Sequence, residues 1–128
     1  MDARKRKVIP ALLTAVVAAA LLWTAHAAMA RTPYDGVWSV SIITDAGDCD
    51  RAYRYALHIE NGRIFYDDPS FDISGHVGAR GQVSVVVRQG QQQARGTGRL
   101  SGNYGQGLWS GESPTNKCSG HWEAERRG

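Results

Sequence analysis

The sequence predicts an all-β protein: an antiparallel up-and-down meander of about eight strands that closes into a small barrel, with a two-sheet β-sandwich as the alternative. After residue 30, apolar and polar residues alternate with period two, and β-branched and aromatic residues recur along the chain. Helical periodicity is absent from the same stretch. Closure of such a meander into a barrel would leave no exposed sheet edge.

The eight predicted strands are separated by turn signals. They lie at residues 37–44, 53–60, 63–67, 71–77, 83–89, 92–102, 106–112 and 118–126. Asn61-Gly62, between the second and third strands, is a strong hairpin signal, because a type I′ turn needs positive φ at both central positions. In the fifth strand we expect Val83, Val85 and Val87 to face inward.

The most glycine-rich stretch, residues 96–111, raises the alternative of a phosphate-binding loop. It lacks the third glycine of a dinucleotide fingerprint and a GK[ST] motif, and no predicted helix follows it. We interpret it as two strands joined by a turn at residues 102–105. Glycines on the inner face of a strand allow a bulky neighbour to approach closely.

Residues 1–30 have the plan of a secretory signal peptide. Four basic residues precede an apolar run at residues 8–23, and two Ala-x-Ala sites place cleavage after Ala27 or, as we favour, after Ala30. The apolar run is shorter than the roughly twenty residues of a spanning helix. We therefore expect a single domain at residues 31–128, periplasmic or secreted, with no membrane insertion after cleavage.

Removal of this leader would change the charge of the chain. The whole sequence has 15 Lys and Arg against 12 Asp and Glu, and the leader holds four of the former and one of the latter. The remaining chain would be neutral. Because it lacks a general basic footprint, we expect no nucleic-acid partner.

Cys49 and Cys118 are the only two cysteines. In an exported chain an even number of cysteines usually indicates disulfides, and here the pairing is forced. Cys49 follows the first predicted strand and Cys118 begins the last, and barrel closure would make these strands neighbours. The alternative is a reactive thiol, but Asp48 and Asp50 flank Cys49 and would disfavour its thiolate.

The residues that could carry metal or acid–base chemistry do not form a recognisable site. They are His58, His76, His121, Asp45, Asp48, Asp50, Asp67, Asp68 and Ser110. The histidines lack the spacing of a zinc site, and the loop aspartates lack that of an EF-hand. The adjacent carboxylates would point to opposite faces of a strand, and the serine is outside a G-x-S-x-G motif. We predict no catalytic residues, no metal and no cofactor, and hence no enzyme.

Aromatic residues are numerous for so small a chain, and those near one mouth of a barrel could line an apolar pocket or stack on a flat ligand. Our candidate binding residues are Trp38, Trp109 and Trp122. Arg95 and Arg99, on one face of a strand, are candidates for contact with an anion or a protein. The partner is therefore expected to be a small ligand or a protein.

Gly36-x-Trp38 resembles the Gly-x-Trp that opens lipocalins and related small barrels, a resemblance that implies that Arg126 or Arg127 covers the tryptophan. In size, export, single disulfide and this motif, the chain is similar to the small barrels that include periplasmic metalloprotease inhibitors. Those proteins insert an N-terminal tail into the protease, and the corresponding tail here would be residues 31–33.

A resemblance over most of residues 31–128 is to small exported proteins of alphaproteobacteria. The shared segments are "YDGVWSV", "GDC", "YRYALHIENG", "FDISGHV", "GRLSGNYGQGLW" and "CSGHWEAER". This resemblance implies an exported β-domain and no particular activity.

The sequence thus predicts an exported, non-enzymatic β-barrel that binds a small ligand or a protein. A protease inhibitor and a structural envelope protein are the alternatives. A structural protein would have a tightly filled barrel, and a hydrolase would have a pocket in which a histidine meets Asp or Ser.

Overall fold

Eight antiparallel strands close into a barrel over residues 32–128, the part of the chain that the computed structural model describes. The strands are β1 (Gly36–Ala46), β2 (Ala52–Glu60), β3 (Arg63–Phe65), β4 (Asp72–Val77), β5 (Gln82–Gln89), β6 (Gln92–Ser101), β7 (Tyr104–Glu112) and β8 (Lys117–Arg126). Each strand pairs with the next, and β1 also pairs with β8. The predicted meander and its closure are confirmed, and the sandwich is not observed.

The predicted signal peptide, both cleavage sites and Arg31 lie outside the described residues. Between residues 32 and 128, no helix has the length and hydropathy that a membrane crossing requires.

The two ends of the barrel differ in their connections. The end that we call the closed end carries the short turns at residues 61–62, 78–81 and 102–103, together with the segment before β1 and the C-terminus. The opposite end, which we call the mouth, carries the loops at residues 47–51, 66–71, 90–91 and 113–116.

Period-two alternation sends every second side chain of each strand into the barrel. The inward side chains that are fully buried lie towards the closed end and form the core. It consists of Trp38, Val40, Ile59, Ile64, Val77, Leu100, Trp122 and Ala124. Val83, Val85 and Val87 also face the interior, as predicted. Towards the mouth most inward apolar side chains are only partly buried, so the interior is less completely filled there.

The turn between β2 and β3 is the type I′ turn predicted from Asn61-Gly62, with φ of 52° and 77° at its two residues. The carboxylate of Asp35 caps this turn: it accepts hydrogen bonds from the backbone N–H of Asn61 at 2.9 Å and of Gly62 at 3.3 Å. Thr32 donates its hydroxyl to the same carboxylate. These hydrogen bonds, led by that of Thr32, lower the pKa of Asp35 below its ordinary value of 3.8.

Several predicted strand bounds differ from the structure by one or two residues, and two of these differences change a connection between strands. The third strand ends at Phe65 rather than at residue 67, and β3 meets β4 through the single residue pair Arg63–His76. The cause is a local turn, since Asp68 accepts hydrogen bonds from the backbone and the hydroxyl of Ser70 and draws the chain out of the ladder. The turn expected at residues 102–105 occupies residues 102–103 alone, and β7 begins directly after it.

The glycines of residues 96–111 make space for indole rings. A Cβ atom at Gly107 would lie 2.6 Å from two atoms of the Trp122 ring, and one at Gly98 would overlap the same ring. Likewise, a Cβ atom at Gly120 would lie 2.9 Å from Nε1 of Trp109. The stretch therefore belongs to two strands of the barrel, as predicted, and its inner face receives tryptophan.

Cys49 and Cys118 form a disulfide, with their Cα atoms 6.1 Å apart. It ties the loop between β1 and β2 to the beginning of β8, at the mouth. The predicted pairing is confirmed.

Candidate ligand cavity and its mouth

The barrel encloses a cavity of about 600 Å³ that reaches from the core to the mouth. Its walls are aliphatic and come from neighbouring strands. The wall residues are Val40, Ile42, Leu57, Ile73, Val83, Val85, Val87 and Ala94. Because these side chains do not pack against one another across the barrel, the interior offers apolar surface to a ligand.

Four aromatic side chains, which we call the aromatic rim, pack together at one side of the mouth of this cavity: Tyr53, Tyr55, Tyr66 and Phe71. Tyr55 is central, with its ring centroid 5.6 Å from that of Tyr66 and 6.2 Å from those of Tyr53 and Phe71. Tyr66 and Phe71 come from the loop that follows the shortened β3, and their centroids are 5.3 Å apart. The early end of β3 thus places two aromatic rings at the opening.

The environment of the rim favours the neutral form of the Tyr55 phenol even more than water does. Burial, and secondarily the neighbouring Tyr53 and Tyr66, raise the pKa of the Tyr55 phenol above its ordinary value of 10.0. At neutral pH this side chain therefore presents an uncharged hydroxyl and an aromatic face to the cavity.

The polar residues at the mouth are amides and carboxylic acids. The amides are Gln89, Gln92, Gln93 and Asn116, and the acids are Asp48, Asp50 and Glu112. Among the described residues that line this cavity there is no lysine, arginine or histidine. A guest molecule would meet hydrogen-bonding groups and negative charge at the mouth.

The three candidate tryptophans all lie on the inner face and line this one cavity. Trp109 donates its indole N–H to the carbonyl of Ile43 at 2.9 Å, and Trp122 donates to that of Thr97 at 3.1 Å. Trp38 is only 1% exposed and belongs to the core at the closed end. The tryptophans therefore supply apolar and aromatic surface to the cavity, and no indole donor remains for a guest molecule.

The two arginines predicted as candidate binding residues do not lie with the tryptophans in the cavity. Arg95 and Arg99 lie exposed on the outer face of β6, and neither lines the cavity. Arg95 instead borders a shallow groove on the outside of the barrel, beside Glu112 and Lys117. Tryptophan and arginine candidates thus belong to different surfaces of the molecule.

Arg126 covers Trp38 at the closed end, as the Gly-x-Trp resemblance implied. Its guanidinium carbon is 5.0 Å from the centre of the ring, a cation–π arrangement. The guanidinium also donates to the carbonyls of Asp35, Pro33 and Gly102, at 2.8, 2.9 and 3.1 Å. Arg126 therefore joins the segment before β1 to the turn between β6 and β7.

Two histidines meet aspartates, but on the outside of the barrel. Nδ1 of His121 is 2.7 Å from Asp45, and Nε2 of His58 is 3.4 Å from Asp67. Neither pair lines the cavity. Within residues 32–128, no group of three or more His, Cys, Asp or Glu side chains is arranged to hold a metal ion.

No protein-family model matches the chain, and no curated protein or solved structure is significantly similar to it. The resemblances described from sequence segments stay predictions.

Sequence reasoning treated the aromatic residues near one mouth as a possible pocket lining but did not identify the four that form the rim. It also missed the glutamines, whose signal was the run from Gln89 to Gln93 at the turn between two strands. Phe65, the last residue of β3, is 43% exposed. Its position opposite His58 in the ladder places it on the outer face.

Proposed function

We propose that this protein is an exported, non-enzymatic β-barrel that binds a small apolar molecule in its cavity. The observation that carries the proposal is the cavity of about 600 Å³ with apolar walls and an aromatic rim at its mouth. Ligand pockets in proteins have similar volumes and combine mostly apolar walls with a few polar groups. The amides at the mouth supply such polar groups.

The cavity favours a small ligand over the other functions. A purely structural envelope protein would have a filled interior, which this barrel lacks. The inhibitor alternative needs a free N-terminal tail, yet Thr32 contacts Asp35, and the carbonyl of Pro33 accepts a hydrogen bond from Arg126. The part of that tail within the described residues is therefore held against the barrel.

Export to the periplasm or the medium is part of the proposal. The leader-like residues 1–30 support it, and so does the disulfide, because such bonds persist in oxidising compartments.

The first test is native mass spectrometry of protein purified gently from its own host. We expect a polypeptide that begins at residue 31, with an added mass from a retained small molecule. A titration with the neutral fluorophore Nile red should show binding of one molecule per barrel, with a blue shift of its emission.

Two matched variants localise that binding. Ala94→Phe adds a ring to the cavity wall and should abolish the Nile red signal, whereas Ala56→Phe adds the same ring on the exposed side of β2 and should preserve it. Circular dichroism would establish that both variants fold. A bare polypeptide mass together with no Nile red binding to the unmodified barrel would refute the proposed function.

A further inference from the structure

We propose that the cavity selects ligands with a positively charged end: hydrophobic amines or quaternary ammonium compounds, held with the apolar body inside and the cation at the mouth. This inference rests on the proposed function and adds the chemical class of the ligand. Two independent properties of the mouth carry it, its charge and its aromatic faces.

The charge of the mouth is negative on the cavity side. Asp48 and Asp50 flank Cys49 in the loop that the disulfide ties to β8, so the chain carrying both carboxylates is held beside the opening. Glu112, at the end of β7, borders both the mouth and the groove on the outside of the barrel. An anionic head group at this position would meet like charges and no cationic partner.

The basic residues near the mouth do not line the cavity, although Arg88 donates a hydrogen bond to the side chain of Gln93, which does. Lys117 stands opposite Glu112 in the β7–β8 ladder, but its side chain borders the groove on the outside of the barrel. Arg51 is exposed in the same loop as the two aspartates and does not line the cavity. Lys117 offsets part of the charge of Glu112, which leaves Asp48 and Asp50 as the main source of negative potential.

The aromatic rim provides a second attraction for a cation. The face of an aromatic ring carries partial negative charge and attracts ammonium groups, and several rings around one opening strengthen the effect. At the closed end the Trp38 face is already occupied by the guanidinium of Arg126. No cation lies among the described residues that line the cavity, so the rings of the rim pack against one another there and not against a cationic side chain.

The geometry separates the two parts of such a ligand. Aliphatic side chains line the interior towards the core, and the carboxylates and amides are confined to the mouth. A molecule with an alkyl or aromatic body and a cationic end therefore finds a matching environment at each end. A fatty acid would have a matching environment for its tail alone.

The test uses three probes with the same tail, each below its micellar concentration: decyltrimethylammonium, decanol and decanoate. Their affinities for the oxidised protein are measured by displacement of Nile red at low salt. We expect decyltrimethylammonium to bind roughly tenfold more tightly than decanoate, with decanol between them. Added salt should reduce the difference, because it screens the exposed carboxylates.

Variants separate the two sources of selectivity. Asp48→Asn/Asp50→Asn should reduce the ratio of the two charged-probe affinities to roughly threefold or less. Glu60→Gln/Glu123→Gln removes the same number of charges away from the mouth and should keep the ratio. Tyr55→Leu should weaken the preference for decyltrimethylammonium over decanol. The separate variant Tyr55→Phe keeps the aromatic ring and should retain that preference.

The possible results distinguish this inference from the proposed function. Binding of decanol, with decanoate as tight as decyltrimethylammonium or tighter, would overturn the cationic selectivity and leave a ligand-binding barrel. Failure of Nile red and all three probes to bind would overturn both.

Discussion

The closed end and the mouth of this barrel are stabilised in different ways. At the closed end, side chains satisfy backbone groups: Arg126 donates to three carbonyls, Asp35 accepts from two N–H groups, and Trp38 is buried beneath the guanidinium. At the mouth, the disulfide ties the loop between β1 and β2 to the beginning of β8, and the aromatic rim remains partly exposed.

The difference shows how a barrel of this size can keep an unfilled cavity. Unfilled space forgoes the contacts between side chains that stabilise a close-packed interior. Here the lost packing is at one end, while a dense core and a network of hydrogen bonds stabilise the other. The disulfide then stabilises the end that packing does not.

The largest change in stability is expected when the disulfide at the mouth is removed. Cys49→Ser/Cys118→Ser should lower the free energy of unfolding by roughly 4 kcal/mol, because the disulfide limits the chain entropy of the unfolded state across a long loop. Urea denaturation would measure the loss. A reductant should destabilise the unmodified protein and leave the variant unchanged, and denatured, unreduced protein should contain no free thiol. Two reactive thiols would show that the bond is not formed.

At the closed end, Trp38→Ala should destabilise the protein by about 3 kcal/mol or more, since it empties the most buried large side chain of the core. Tyr53→Ala, at the mouth, should cost less than about 1 kcal/mol because its side chain is already exposed. Chemical denaturation of both variants measures the contrast. A change below about 0.5 kcal/mol for Trp38→Ala would mean that this residue is not part of the core.

A smaller effect is expected from the arginine that covers Trp38. Arg126→Met keeps the aliphatic stem but removes the donors to three carbonyls, and should cost about 2 kcal/mol. Arg127→Met is the matched control: Arg127 forms an exposed ion pair with Glu125 at 3.2 Å, so its loss should cost less than about 0.5 kcal/mol. Equal losses for the two variants in thermal or urea unfolding would contradict the role given to Arg126.

The smallest expected effect is on how much stability the protein loses at acidic pH. The pKa of Asp35 is lower in the folded protein than its ordinary value of 3.8, so its stabilising contribution is present above that value. The contribution is lost as the pH falls through the folded pKa. Asp35→Asn should therefore show a smaller drop in urea midpoint between neutral pH and pH values below 3.8 than the unmodified protein does.

The control for this comparison lies at the mouth. Hydrogen bonds from the backbone and side chain of Ser70 also lower the pKa of Asp68, but that carboxylate is fully exposed. Asp68→Asn should change the acid dependence less than Asp35→Asn does. The reverse order would show that the closed end is not the more acid-sensitive of the two.

Much of the fold was predictable because its signals are local. Alternation indicated the inward faces of the strands, Asn61-Gly62 specified its turn, and the presence of only two cysteines left one pairing. The end of β3 was not predictable in the same way. The alternating pattern continues through Tyr66, and only the hydrogen bonds of Asp68 with Ser70 show where the ladder stops.

The candidate site was less predictable because it depends on volume and not on pattern. Trp109 and Trp122 were predicted as candidate binding residues, but the size of the cavity depends on how far each ring lies against the glycines opposite it. That distance is a property of three neighbouring strands together. Which aromatic residues form the rim likewise depends on where the loop after β3 returns, which no local pattern specifies.

Closure of the barrel has a practical consequence for attaching the protein to anything else. The backbone N–H of Val37 donates to the carbonyl of Gly128 at 2.8 Å, so the start of the first strand and the C-terminus lie side by side at the closed end. A tag, a fluorophore or a sensor surface joined at the C-terminus is therefore anchored on the side opposite the opening. Immobilised in that orientation, the barrel presents its cavity to the solution, and binding can be measured without blocking the route by which a molecule enters.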